Sequence, residues 1–416
     1  MKRRHSRRGA VAGALAVAGA LTAVAALPAS ATGSPAHEAA SAAHTGERSR
    51  PHAATARALD AVVADGTPGV VARVDDADGA WRRSVGVADR ETGRPRLARD
   101  RFRVGSVTKP FTATVLLQLA AEGRLSLDDT VHTWLPGLVR NAHYDGRRIT
   151  LRQLLNHTSG IFNYNDDPGF LAKFTGQGFL QHRYDGATPR ELVAIGLAQP
   201  PVFPPGEGWS YSDTNYILAG LVIEKVTGHD YEDEVENRII KPLKLTSTTL
   251  PRSSPTLPAP RGRHYSRLYE EDPAAPVHDV TEFNPTVAWA AGTVISTPRD
   301  LNTFTRALLR GRLLPAAQLA EMLQGVPVSS DGGETPLAAP RRPSNETPRA
   351  TYGLGIRSFT LSCGVEVWGH GGQVPGSLTR TAATRDGEHV LTMNRNADYG
   401  AQEREDATLE AEFCRR

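Results

Sequence analysis

Strand-like runs occur near both ends of this 416-residue chain, and mainly helical sequence fills the middle. At the front, "GVVARVDD" (69–76) and "WRRSVGVADR" (81–90) alternate in polarity and read as strands. At the back, "TYGLGIRSF", "VEVWGHGG", "TRTAATRD" and "HVLTMNRN", all within 351–396, return to strand patterns, and "EREDATLEAEFC" closes as a helix. A helix before the hairpin, opening near Thr55 as an N-cap, suits an antiparallel sheet covered by helices. The expectation is an α/β (α+β) fold. Its sheet domain is discontinuous, over 55–125 and 286–416, with a mainly helical domain inserted over 126–285.

Between the strand groups the helical patterns are apolar. "GSVTKPFTATVLLQLAAEGRL" carries Val115, Leu116, Leu117, Leu119 and Ala120 and stops at Gly123, which predicts a largely buried helix. "TNYILAGLVIEKVTG" repeats the pattern with its own glycine stop, and "DYEDEVENRIIKPLKL" reads as an amphipathic helix. "LRQLLNHTSG" ends a helix. Residues 326–350, rich in Pro, Gly, Ser and Thr, read as a surface loop.

The first 31 residues have a basic start, an apolar run from Gly9 to Leu27 and the small-residue site Ala29-Ser30-Ala31. That is the pattern of a secretory signal peptide; a retained membrane anchor is the alternative. Arg3-Arg4 and Arg7-Arg8 admit twin-arginine as well as general export. Residues 32–54 are expected to form a flexible leader. Losing the five cations of residues 1–31 takes the formal net charge from +3 to −2. Nucleic-acid binding then has no compositional support, and no other run is apolar for long enough to span a bilayer. The expected location is secreted, outside the cell.

Only two cysteines are present, Cys363 and Cys414. An even count in an exported chain points to a disulfide, with two buried thiols as the alternative. No Cys/His cluster has metal-ligand spacing, and no metal or organic cofactor is implied.

The chain has 48 Lys+Arg residues, of which six are lysine. One of the six is Lys109 in "RVGSVTKPF", three residues after Ser106, so the two side chains share a helix face. A serine hydroxyl is a poor nucleophile without a base, and a buried lysine can be that base. Alone, Ser-x-x-Lys arises often by chance. A second run, "GWSYSDTNY", sets Tyr211 two residues before Asp213 at a helix entrance. A third, "WGHGGQVPG", ends a strand in His370-Gly371-Gly372, where glycines let a ligand approach the backbone.

Together and in this order the three motifs resemble the serine β-lactamase and penicillin-binding family. The longer runs "FRVGSVTKPFTATVLLQLAAEGRLSLDD", "LLNHTSGI", "YSDTNYILAGLVIEKVTG", "AGTVISTPRDL" and "LSCGVEVWGHGG" resemble its class C β-lactamase-related branch. They look most like secreted actinobacterial D-alanyl-D-alanine carboxypeptidases, over about residues 55–414. The resemblance implies a β-lactamase/transpeptidase-like fold and a disulfide between Cys363 and Cys414. It also implies roles. Ser106 is acylated. Lys109 and Tyr211 share proton transfer. The N–H groups of Ser106 and Gln373 form an oxyanion hole. Arg357 sits where the carboxypeptidases bind the substrate carboxylate. His157 is a family landmark and reads as structural.

Two positions depart from the pattern. Most relatives have asparagine where this chain has Asp213; an ionised aspartate only accepts hydrogen bonds, and it would favour a charged Lys109. The carboxypeptidases usually have threonine at Gly371, whose hydroxyl helps hold the substrate carboxylate; its loss leaves Arg357 and His370 to do so. The expected activity is D-alanyl-D-alanine carboxypeptidase on cell-wall peptides, acylated by β-lactams. The rivals are an esterase, a D-stereospecific amidase or aminopeptidase, a β-lactamase, and a non-catalytic penicillin- or muropeptide-binding module.

Overall fold

The computed structural model describes residues 51–270, 272–328, 335–336, 350–400 and 403–414. The signal peptide, nearly all of the leader and most of the 326–350 loop lie outside the described residues. Arg50–Arg416 forms one compact unit, and the division at residues 125 and 285 is a proposal about architecture within it.

One antiparallel sheet of eight strands organises the fold. Its strands are β1 (Gly69–Asp76), β2 (Gly79–Gly86), β3 (Val326–Pro327), β4 (Ala350–Tyr352), β5 (Arg357–Thr360), β6 (Glu366–Val374), β7 (Ser377–Ala383) and β8 (Val390–Arg395). The order across the sheet is β2-β1-β8-β7-β6-β5-β4-β3. The N-terminal hairpin thus pairs with the last strand, Val70 opposite Arg395 and Val74 opposite Leu391.

Both faces are covered. Val70, Ala72 and Val74 alternate along β1 and pack beneath α1 (Ala53–Ala64) and α7 (Glu403–Phe413), against Leu59, Val62 and Leu409. Val71 points the other way, into the main core with Phe111, Phe304, Trp368 and Val390. That core holds α2 (Lys109–Ala121), α5 (Asp213–Thr227) and α6 (Pro298–Leu309). Ten of the 13 residues of α2 are buried, so it is a central helix and not an amphipathic cover. Of two short helices, α3 (Pro168–Phe174) packs Phe170 against this core, and α4 (Gly176–His182) places Phe179 in a separate cluster with Leu268, Val280, Phe283 and Val374.

Local sequence explains most element ends. Gly228 closes α5 in the left-handed conformation at φ 78°. The run expected as one amphipathic helix over 230–245 breaks instead: Tyr231–Val235 is α-helical, Glu236–Ile240 widens to a π turn, and Lys241–Leu243 ends it. α1 begins two residues before the expected N-cap, and the Thr55 hydroxyl donates to Glu412 of α7 instead of capping. Cys363 and Cys414 are disulfide-bonded with Cα atoms 5.8 Å apart, which ties the β5–β6 turn to the end of α7. Among the described residues, no helix is long and apolar enough to cross a membrane.

Candidate active site

Ser106 sits in a tight 3-10 turn, Gly105–Thr108, that runs directly into α2. The chain enters this turn from a two-residue bridge, Phe102 opposite Ser296, and the Val104 N–H donates to the Val294 carbonyl at 2.9 Å. Two glycines let the turn press against β6. Gly105 has φ +56°, and a Cβ there would lie 2.6 Å from Gln373 N. A Cβ on Gly372 would lie 1.9 Å from the Val104 carbonyl oxygen and 2.9 Å from Ser106 N. Glycine at both positions therefore brings the backbone of Ser106 against that of Gln373. At the start of a helix the Ser106 N–H has no intrahelical partner.

One turn further, Lys109 is fully buried, and its Nζ lies 2.9 Å from Ser106 Oγ. The same ammonium donates to the Ala291 carbonyl at 3.0 Å and to Asp213 Oδ1. Asp213, the first residue of α5, is held from a separate loop: Asn165 Nδ2 donates to its second oxygen, and its own N–H donates to Asn163 Oδ1 at 3.1 Å. The Lys109 ammonium also lies 4.7 Å from the centre of the Tyr211 ring.

Tyr211 is set by His157. The Ser210 N–H donates to the His157 carbonyl, and the Ser212 N–H donates to His157 Nδ1, both at 3.1 Å, so the histidine grips the chain on either side of Tyr211. An accepting Nδ1 requires a neutral ring. Burial, then the nearby Lys109 charge, keeps His157 well below its ordinary pKa. The Tyr211 hydroxyl is buried beside Ser106 but makes no hydrogen bond of good geometry. Burial first, then the Asp213 carboxylate, holds its pKa well above the ordinary tyrosine value, against weaker pulls from Ser106 and Arg357.

His370 lies on β6 with its Nε2 2.9 Å from the Tyr352 hydroxyl. Burial, then Lys109, pushes its pKa down to about 3, so the ring is neutral near pH 7. Arg357 on β5 is half-buried, and its Nε has no hydrogen-bond partner.

Ser106 opens onto two cavities. A smaller one, about 240 Å³, is walled by Tyr211, Tyr352, Arg357, His370, Arg380 and Glu405. A larger one, about 570 Å³, is walled by Phe170, Phe174, Phe179, Tyr269, Phe283 and Val374, with Asp213 at its inner end. Every site residue expected from sequence therefore gathers here: Ser106, Lys109, Tyr211, Asp213, Arg357, His370, Gly371, Gly372 and Gln373. Sequence reasoning missed Asn163 and Asn165, the aromatic wall, Arg380 and Glu405. Only the run "FNYNDDPGF" hinted at the first two, by its density of side chains that bond backbone.

Chemically, a serine hydroxyl touches a buried ammonium and faces a phenol, with two backbone N–H groups alongside. Such a site on this sheet defines a serine hydrolase of the β-lactamase and penicillin-binding type. The Beta-lactamase family matches residues 53–415, and the chain belongs to that family. It is 53% identical to a D-stereospecific amidohydrolase from Streptomyces sp., with a TM-score of 0.79 over 87% of this chain and 98% of that one. A D-amino acid amidase from Ochrobactrum anthropi SV3, complexed with L-phenylalanine amide, is 28% identical, with a TM-score of 0.71 over 86% and 97% of the two chains. Penicillin-binding protein 4* of Bacillus subtilis is 31% identical over 284 residues, 64% of this chain and 57% of that protein. The chain spans less than two thirds of the length of the curated relatives it first matches.

Proposed function

We propose that this chain hydrolyses amide bonds on the carbonyl side of D-amino acids through an acyl-enzyme at Ser106. The observation that carries this is the 2.9 Å contact between Ser106 Oγ and the buried Lys109 Nζ, placed between an aromatic and a cationic cavity. The likeness to a D-stereospecific amidohydrolase supports the choice of substrate.

In acylation the Lys109–Tyr211 pair acts when it is one proton short of ammonium plus phenol: Ser106 Oγ attacks the amide carbonyl and its proton fills that vacancy. The oxyanion is met by the N–H groups of Ser106 and Gln373. The carbon–nitrogen bond breaks, and the amine leaves with a proton returned from the same pair. Water then cleaves the ester, with the proton path run in reverse. The aromatic cavity receives the acyl side chain beside Asp213. The departing amine lies along β6, among Arg357, His370, Gly371 and Gly372.

A second reading, D-alanyl-D-alanine carboxypeptidase with β-lactams as acylating agents, is favoured by the cationic Arg357 in the leaving-group cavity. The reading of residues 1–31 as a signal peptide and the disulfide between Cys363 and Cys414 fit an exported enzyme.

The test is turnover of D- and L-phenylalanine amide, together with intact-protein mass after exposure to benzylpenicillin, for the wild type and Ser106→Ala. Hydrolysis of the D-enantiomer by the wild type alone is expected. Hydrolysis that survives in Ser106→Ala, or that prefers the L-enantiomer, overturns the proposal. A lasting penicillin adduct on the wild type would support the second reading.

A further inference from the structure

Residue 371 is glycine where the related carboxypeptidases usually place threonine, and its space is occupied. A Cβ on Gly371 would lie 2.7 Å from Arg380 Nη1 and 3.4 Å from Arg380 Cζ. The two residues face each other across β6 and β7. The Arg380 guanidinium thus stands where a side chain at position 371 would have to go. It is fixed there by Glu405 of α7, whose Oε2 accepts from Arg380 Nε at 2.9 Å.

The charge balance in this cavity is uneven. Glu405 is itself shared, its Oε1 lying 3.0 Å from Arg395 Nε. Asp406 comes no nearer to Arg380 than 4.0 Å and is exposed. Arg357 enters the same cavity with its Nε buried and without a hydrogen-bond partner. Arg380 and Arg395 therefore share Glu405, with Asp398 also acting on Arg395, while Arg357 feels Asp406 without forming an ion pair with it. His370 is neutral near pH 7 and neither adds to nor cancels the excess. Burial chiefly lowers the pKa of Arg357, and the Arg380 charge adds a smaller repulsion, partly offset by Tyr352, Tyr211 and Asp406. A carboxylate between them would relieve that repulsion and accept from both.

We propose that Arg380, standing over Gly371, replaces the missing threonine hydroxyl and forms with Arg357 a carboxylate clamp for the departing residue. The substrate class is then a D-aminoacyl peptide whose leaving amino acid ends in a free carboxylate, in preference to a simple amide. This rests on the acyl-enzyme reading above. It also revises the sequence-based expectation that Arg357 and His370 alone would hold the carboxylate.

The test compares D-phenylalanyl-D-alanine with its C-terminal N-methylamide, following cleavage of the internal amide bond. The ratio of the two kcat/KM values, taken on one preparation, cancels any general loss of activity. The wild type is expected to favour the free acid at least tenfold. Arg380→Gln is expected to lower that preference by about tenfold, chiefly through KM, and Arg380→Lys to restore part of it. Gly371→Thr should lower it too, since its side chain displaces the guanidinium while leaving Glu405 its partner. An unchanged ratio in both Arg380→Gln and Gly371→Thr overturns the clamp. A wild type that cleaves neither compound, and forms no acyl adduct at Ser106, overturns the acyl-enzyme reading itself.

Discussion

Lys109 and Asp213 form a direct ion pair at the floor of the site, although the ammonium is completely buried and 104 residues separate the two in sequence. The pair joins the first residue of α2 to the first residue of α5. It places a carboxylate beside the hydroxyl of Ser106 and the ring of Tyr211, at the position where the family resemblance leads one to expect asparagine.

The first prediction concerns that charge. Asp213 is the second cause, after burial, of the high pKa of Tyr211. Asp213→Asn removes it, so an alkaline limb of kcat/KM governed by Tyr211 is expected to move to lower pH. Each unit of movement corresponds to about 1.4 kcal/mol. Superimposable pH–rate profiles for the two proteins would detach Tyr211 from proton transfer.

Gly372→Ala should damage both stability and acylation. Its Cβ would meet backbone on two sides, Val104 O at 1.9 Å and Ser106 N at 2.9 Å, so no flexible side chain can yield. A loss of about 1–3 kcal/mol is expected from the forced backbone shift. Acylation should fall about a hundredfold as one oxyanion donor moves. Urea unfolding and the rate of penicillin or ester acylation measure the two effects separately. Wild-type acylation in a destabilised protein would show that the Ser106 N–H is not an oxyanion donor.

The disulfide should matter for stability and little for turnover. It closes a loop with a sequence separation of 51 at the far end of α7, worth up to about 4 kcal/mol on the chain-entropy model. The Cys363→Ser, Cys414→Ser double variant is expected to unfold at lower denaturant with kcat within about twofold of wild type. A collapse of kcat in the folded variant would mean that α7 transmits strain to Glu405 and the site.

Acid should weaken the fold from about pH 6.5 downward. His157, His264 and His370 are buried, and burial is the first cause of the lowered pKa of each. Because these folded-state values lie below that of an exposed histidine, the unfolded chain takes up protons first. The stability they contribute is complete above about pH 6.5 and is lost as pH falls toward about 3, the value for His370. By pH 5 each group costs up to about 2 kcal/mol. Both ring nitrogens of His264 lack hydrogen-bond partners, so His264→Leu is expected to flatten the profile. Denaturant midpoints at pH 7.5 and 5 that fall equally in the variant and the wild type would contradict this.

How much of this was legible depended on where each signal resides. Strand β1 was read at its observed limits, Gly69–Asp76, because a β-branched run alternates and ends at turn residues. The Ser106–Lys109 contact follows from helical spacing alone, and Gly123 and Gly228 stop helices in the way glycine does. Arg380 could not be read. Its meaning comes from the register that sets it opposite Gly371, and register belongs to the assembled sheet. Asn165 likewise reaches Asp213 across 48 positions with no periodicity to announce it. The start of α1 was misplaced because a carboxylate from the other end of the chain, Glu412, captured the hydroxyl of Thr55.

The pairing of β1 with β8 also dictates an order of events. Val70 finds its partner, Arg395, only after almost the whole chain has been made. During synthesis the front hairpin has one flank with nothing to bond. The sheet therefore cannot mature from the front backward, and completion waits on the last strand to arrive. A chain stalled or clipped before residue 390 would present that bare flank to any neighbour, so such fragments should aggregate where the whole protein does not.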